Sequence, residues 1–297
     1  MFKPAERKQV KLKLALTGPS GSGKTMSALL IAAGIGGKIA VVDTENGSAS
    51  LYAKMKSGPL VGVEFDTLEI DPPYTIQKYH AAIEAAEQAG YGVLVLDSIS
   101  HAWAGEGGLL AKKEALDARG GNSYTNWSSI TKEHEAFKAK LLSAKIHLIC
   151  TMRSKQDYVL EINEKGKQAP KKVGMAPIQR DGMEYDFSIV FDLGMDHNAV
   201  ASKDRTSLLD GQIFKPSKQT GKQLMEWLAD AKPEEPAAPQ AIVASDVGGV
   251  KCLKCNTEVI LHSSGQGYSC PNWSTKEVGH LRFVMSKLAE YQAKQSA

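Results

Sequence analysis

The chain has no run of about 18 apolar residues, and its basic opening stretch, Met1 to Lys13, has no apolar segment behind it. Neither a membrane-spanning helix nor a secretory leader is therefore expected, and a cytoplasmic setting with no membrane partner follows. Cysteine is scarce. Cys150 stands alone in an apolar run, while Cys252, Cys255 and Cys270 fall together. In a reducing compartment that clustering argues for metal rather than disulfides. A charge excess of one sign is also missing: the formal net charge of +3 neither demands nor excludes nucleic acid, so the distribution of charge must decide. There is no internal repeat. An apolar share of 42% in 297 residues is ordinary for a globular protein, and the length suits one large domain with a small appendage.

What is present begins with Leu14-Ala-Leu-Thr-Gly18-Pro19-Ser20-Gly21-Ser22-Gly23-Lys24-Thr25-Met26, an apolar strand running through G-x-x-x-x-G-K-T into a helix. Glycines 18, 21 and 23 let backbone N–H groups point inward, where a Cβ would crowd a phosphate. Lys24 can reach the β- and γ-phosphates of ATP, the Thr25 hydroxyl suits Mg²⁺, and the helix start adds its positive dipole end. The bland alternative is a Gly/Ser-rich turn.

Beyond this loop, apolar runs alternate with helical spacing. Lys38 to Asp43, Val63 to Ile70, Val93 to Asp97 and His147 to Thr151 read as strands. Tyr74 to Gln88 and Ser128 to Lys145 read as helices, with later strands over Tyr185 to Leu193 and Asp204 to Phe214 and a closing helix over Gly221 to Ala231. The fold class is α/β, a mostly parallel sheet between helices. The expected domains are a core over 1–231, a Pro-rich linker over 232–249 and a small cysteine-containing module over 250–297 with a helical tail from Leu281 to Gln295.

Asp97 closes Val-Leu-Val-Leu, as a Walker B acid does; a carboxylate at the edge of the strand beside the P-loop can hold Mg²⁺. Its neighbour is Ser98, so a catalytic base must come from elsewhere. Glu45 in Asp43-Thr44-Glu45-Asn46 supplies a carboxylate to polarise water, with Asp43 as second choice. A capping role is the alternative for either.

Taken together, Gly18 to Thr25, Asp43 to Asn46 and Leu96-Asp97-Ser98 resemble, in order and spacing, the RecA/RadA recombinase core. The span from Lys11 to Leu228 is similar to short RecA-like ATPases of bacteriophages that act in single-strand annealing or recombination. The resemblance implies a RecA-like P-loop NTPase fold, with Glu45, Lys24 and Asp97 catalytic. It also implies slow ATP hydrolysis on single-stranded DNA, self-association that completes ATP sites between subunits, and single-strand-binding or other replication proteins as partners, in a host cytoplasm. The family ends the strand after Walker B with Asn-Gln. Here Thr151-Met152 stand there, so a link from phosphate to DNA would run through Arg153, which joins the candidate nucleotide contacts.

Two segments suit nucleic acid. His101 to Ser129 holds Trp103, Tyr124 and Trp127 among glycines, a pattern for base stacking or for packing under a loop. Arg153 to Arg180 carries seven basic residues against three acidic ones. Lys215, Lys218 and Lys222 are candidates for acting on a neighbour's ATP site, as the resemblance implies.

Cys252-x₂-Cys255 and Cys270 give three-quarters of a zinc ribbon, with His280 the better placed fourth ligand and His262 the alternative. A structural zinc ion is expected there. The overall expectation is an Mg²⁺-dependent ATPase. A nucleotide-switched binder with little turnover, a P-loop kinase and a DNA motor are the alternatives.

Overall fold

The computed structural model describes residues 10–120, 122–162, 168–230, 260–261, 267–270 and 282–284, with backbone alone over 156–162, 168–173, 260–261, 267–269 and 282–284. The chain divides into two units, Met1–Pro233 and Glu234–Ala297.

In the first unit, β1 (Lys13–Gly18) leads to α1 (Lys24–Ile35) and β2 (Ile39–Asp43). Then follow β3 (Asp66–Glu69), α2 (Ile76–Gln88), β4 (Val93–Asp97), α3 (Ser100–Ala104), α4 (Leu109–Ala118) and α5 (Ser123–Ser143). The remainder is β5 (His147–Ile162), β6 (Gln168–Pro177), β7 (Ile189–Leu193), β8 (Ala199–Asp204), β9 (Ile213–Phe214) and α6 (Lys218–Ala229). Among the described residues these make one sheet in the order β3-β2-β4-β5-β1-β7-β8-β9, with β6 paired to the far half of β5. The strands from β3 to β7 are parallel; β8, β9 and β6 join antiparallel.

The central parallel strands β2, β4, β1 and β7 are mostly apolar because both faces are covered, and successive side chains feed opposite cores, while the edge strand β3 is polar and exposed. Leu14 and Leu16 pack with α1 and α6 on one face, while Ala15 between them packs with α2 and α5 on the other. Val93 and Val95 divide from Leu94 and Leu96 in the same way. The turn after each strand gathers at one end of the sheet. That end carries the P-loop, Glu45 and Asp97.

Several expectations change. The Walker B strand is not beside the P-loop strand: β5 lies between β4 and β1. His101 to Ser129 is not a loop but α3, α4 and the start of α5. Gly105 and Gly108 serve the tight joint between α3 and α4, where a Cβ on either would lie 2.6 Å from the His101 carbonyl oxygen. Trp103 and Trp127 stack on each other at 6.3 Å and pack, half-buried, against the core; Tyr124 stays exposed. Asp204 to Phe214 is mostly a turn, because the Asp204 carboxylate accepts the backbone N–H groups of Thr206 and Leu209 and curls the chain. In Tyr185 to Leu193 only Ile189 onward is strand, after a 3₁₀ turn over Met183–Asp186.

The second unit contains β10 (Ile260–Leu261), β11 (Gly267–Ser269) and β12 (Arg282–Val284) as an antiparallel sheet. Arg282–Val284 was expected to open a helix; an aromatic and a β-branched residue in succession favour the strand, where Phe283 registers with Tyr268. Cys270 is buried directly after β11. Cys252, Cys255, His262, His280, the linker and the rest of the tail lie outside the described residues.

Candidate nucleotide site

The site grows from the turn between β1 and α1. Gly21 (φ 80°) and Gly23 (φ 85°) hold left-handed backbone that a side chain resists, so glycine is needed to reverse the chain here. A Cβ on Gly18 would stand 2.5 Å from Ser22 Oγ and 2.8 Å from the Leu193 carbonyl oxygen. The loop is thus packed from behind, by Gly18, Pro19 and Ser22, and open in front, where Ser20, Gly21, Gly23, Thr25 and Met26 line a cavity of about 910 Å³. Ser22 Oγ is buried without a partner, and Lys24 Nζ donates to the carbonyl oxygens of Gly18 (3.0 Å) and Pro19 (2.8 Å). Burial draws the Lys24 ammonium below its ordinary pKa, while Asp97 and Glu45 pull it back up. A cradle lined by glycine, with a buried lysine folded over its rim, fits a phosphate chain.

Asp97, at the end of β4, is 1% exposed. Its two oxygens are engaged from different elements: Thr25 donates to Oδ2 at 2.6 Å and Thr151, on β5, donates to Oδ1. Burial pushes this carboxyl above the usual range, against both hydroxyl donors. A cation beside it would offset that cost. Thr25 and Asp97 therefore fit a magnesium ion, which when bound supplies positive charge to phosphate oxygens.

Glu45 reaches the same cavity from the turn after β2. That turn is fixed by Asp43, which accepts the N–H groups of Glu45 (2.6 Å) and Ala49 (2.7 Å) on its two oxygens. Asp43 is 1% exposed and does not line the cavity, and both its oxygens are engaged in shaping the turn. Thr44 braces the turn against β4: its N–H donates to the Asp97 carbonyl oxygen at 2.8 Å, and its hydroxyl accepts the Ser98 N–H at 2.9 Å. Glu45 Oε1 accepts from Arg153 Nε at 2.9 Å. Lys24 on α1, Asp97 on β4, Arg153 on β5 and Glu45 in the turn after β2 line one cavity.

Spacing alone did not point to several contributors. Thr151 looks like a core residue within an apolar run, and its role depends on β5 lying next to β4. Lys215 and Lys218, expected to face a neighbour, line this chain's own cavity, while Lys222 is exposed and does not. His197, left-handed at φ 63°, stands over Gly23. Away from the loop, the cavity wall turns apolar at Leu30, Tyr52, Pro59 and Pro216. Among the described residues, no group of three or more His, Cys, Asp or Glu is arranged to hold a metal ion.

These features define the class: an α/β protein with a mostly parallel sheet and a P-loop nucleotide site, consistent with a RecA-like P-loop NTPase. Comparison with known families carries this one step further. The AAA domain matches residues 10–229, most of the chain, and the protein belongs to that family. No curated protein matches. Among solved structures, the chain is similar to the RadB recombinase at 19% identity, covering 65% of this chain and 81% of that one with a TM-score of 0.36. It is also similar to a prototypical ATPase from the type III secretion system of pathogenic bacteria, at 14% identity and a TM-score of 0.34, covering 64% and 51%.

Proposed function

We propose that this chain is a Mg²⁺-dependent ATPase that works on single-stranded DNA in recombination or strand annealing of the phage type. The observation that carries the catalytic part is the convergence of Lys24, Thr25, Asp97 and Glu45 on one cavity. Lys24 and the loop N–H groups bind the phosphates. Met26, Leu30, Tyr52 and Pro216 offer apolar surface for a base. Glu45 accepts the proton of the attacking water, and Asp97, braced by Thr25 and Thr151, holds the metal side of the site. The DNA part rests on sequence: the basic segment from Arg153 to Arg180 begins at the cavity, on the strand that carries Arg153 out of the sheet. Self-association belongs to the same reading, as do single-strand-binding or other replication proteins as partners and a cytoplasmic location.

For the chain as a whole we propose a core over 1–231, a linker over 232–249 and a module over 250–297. A structural zinc ion on Cys252, Cys255, Cys270 and His280, with His262 as the rival fourth ligand, is proposed from spacing alone. Metal analysis of the purified chain, with His280→Ala and His262→Ala compared, tests it.

The decisive measurement is ATP binding and turnover, with and without single-stranded DNA, on the wild type, Lys24→Ala and Glu45→Gln. Lys24→Ala should lose ATP binding. Glu45→Gln should keep it and lose turnover by about 100-fold or more. Unchanged turnover in Glu45→Gln would overturn the assignment of the base. No DNA binding in any nucleotide state would overturn the recombination reading and leave the ATPase standing. The Glu45–Arg153 ion pair favours a second reading, in which the base is held back and ATP acts mainly as a switch on nucleic-acid binding.

A further inference from the structure

Arg153 is the residue at which β5 changes partners. Up to Gly18↔Arg153 the strand pairs in parallel with β1; from Ser154↔Pro177 it pairs antiparallel with β6. The backbone of Arg153 is held on both sides, its N–H donating to Ser100 Oγ at 2.9 Å and its carbonyl accepting the Ile178 N–H at 2.6 Å. From this fixed point its side chain crosses to Glu45, 108 residues earlier in the chain, inside the cavity that also holds Lys24 and Asp97.

Two facts about the pair conflict with a purely structural role. A general base needs a lone pair open to the proton it takes, and one Glu45 oxygen is occupied by a guanidinium. A guanidinium also suits phosphate, as a planar fork with five donors, and this one is spent on a carboxylate while it faces a phosphate-shaped cradle. The ion pair is not deeply buried: the Arg153 side chain is 41% exposed and that of Glu45 26%. Ion pairs so open to solvent are weak, equivalent to about fivefold in an equilibrium constant at most, so a nearby anion of higher charge displaces them.

We propose that the pair is a latch on the catalytic base: Arg153 exchanges Glu45 for the terminal phosphate of a bound nucleoside triphosphate, and the exchange frees Glu45. A diphosphate does not present that group and leaves the latch closed. Arg153 is then a positioning residue for Glu45 as well as a phosphate contact, and the ion pair makes the site distinguish the nucleotide to be hydrolysed from the product. This inference rests on the nucleotide-site reading above, with Glu45 as the base, but not on DNA binding.

The test uses binding, so hydrolysis does not enter. The full chain is titrated by calorimetry with a non-hydrolysable ATP analogue and with ADP, as wild type, Glu45→Gln, Arg153→Gln and the double variant. Glu45→Gln opens the latch, so the preference for the triphosphate analogue over ADP should rise by about three- to fivefold. In the Arg153→Gln background the same change at position 45 should leave the preference unaltered. Simple repulsion between the Glu45 carboxylate and the phosphates predicts the opposite, because repulsion is strongest when Arg153 is gone. An equal or larger rise in the Arg153→Gln background therefore overturns the latch. Arg153→Lys, which keeps the charge and loses the fork, should recover part of the coupling. If neither nucleotide binds the wild type, the nucleotide-site reading itself falls, a result distinct from binding without coupling.

Discussion

Helices α1 and α6 meet at a pair of glycines, and this contact ties the stability of the core to the shape of the nucleotide cavity. A Cβ on Gly221 would lie 2.2 Å from the Ile31 carbonyl oxygen and 2.8 Å from the Ile35 nitrogen; one on Gly34 would lie 2.0 Å from the Lys218 carbonyl oxygen. Two effects compete in Gly221→Ala. Alanine is the better helix former by about 1 kcal/mol, and Gly221 sits inside α6 with no positive φ to oppose it. Against this stands a collision with backbone, which has no rotamer to escape into. Ordinary contact begins near 3.4 Å, so relief requires the helices to part by about 1 Å. Overpacking of this kind costs about 1–3 kcal/mol, and a backbone obstacle places it at the upper end. The net expectation is destabilisation by about 2 kcal/mol, a fall in Tm of about 4–8 °C for a unit of this size.

The functional consequence follows from what α6 carries. Ser217, Lys218 and Gln219 at its start line the cavity with Pro216 before them, so pushing α6 away from α1 opens the wall opposite the P-loop. ATP-analogue affinity should fall by about tenfold, near 1.4 kcal/mol. Gly90→Ala is the matched control. Its φ of 72° makes alanine strained, but nothing lies within 4 Å and it is not part of the cavity. It should lower Tm modestly and leave affinity unchanged. Thermal denaturation with and without nucleotide measures both quantities. An unchanged or raised Tm in Gly221→Ala, with unaltered affinity, would refute the idea that the glycine contact sets this spacing.

Two further outcomes are expected. Thr151→Val removes a hydroxyl donor from the buried Asp97 and should cost about 1–3 kcal/mol in urea denaturation, with Mg²⁺-dependent turnover reduced; Thr151→Ser should restore both. His147, 7% exposed, accepts the Leu12 N–H on Nδ1 at 3.2 Å, and burial together with Lys11 and Lys13 lowers its pKa to about 4 from an ordinary 6.5. Because the folded value is the lower one, the unfolded chain binds the proton first. Stability should hold above pH 6.5 and fall below it, by about 2 kcal/mol at pH 5, and His147→Gln should flatten that slope.

The parts of the site legible in the sequence are those whose chemistry is local. Gly18 to Thr25 is readable because one short turn needs glycine at fixed positions, with Lys and Thr next to them. Asp97 is readable because it ends an apolar run, and Glu45 because it lies in the short acidic turn that follows one. The parts that escape depend on which strands become neighbours. Thr151 serves Asp97 because β5 is inserted between β4 and β1, an order that no single motif announces. In the segment after Asp97, Gly105 and Gly108 mark close approach between helix ends rather than an open loop, and Trp103 and Trp127 are half-buried against the core. The basic residues at 215 and 218 show the same limit, since their place on this chain's own cavity comes from α6 folding back over α1.

Strand register, more than any one residue, assembles the chemistry. Asp43 stands opposite Asp97 across β2 and β4; Leu16 stands opposite Thr151, and Gly18 opposite Arg153, across β1 and β5. Residues two apart on a strand share a face, so Thr151 and Arg153 turn to the site together while Met152 between them goes into the core. A slip of one residue in β5 would turn both to the opposite face and present Met152 instead. The apolar alternation that seats Leu148, Cys150 and Met152 on one face and Ile149 on the other is therefore what fixes where the hydroxyl and the guanidinium arrive. Packing in the core and placement of the reactive groups are one constraint, and substitutions that disturb the alternation in β5 should damage nucleotide binding as early as they damage stability.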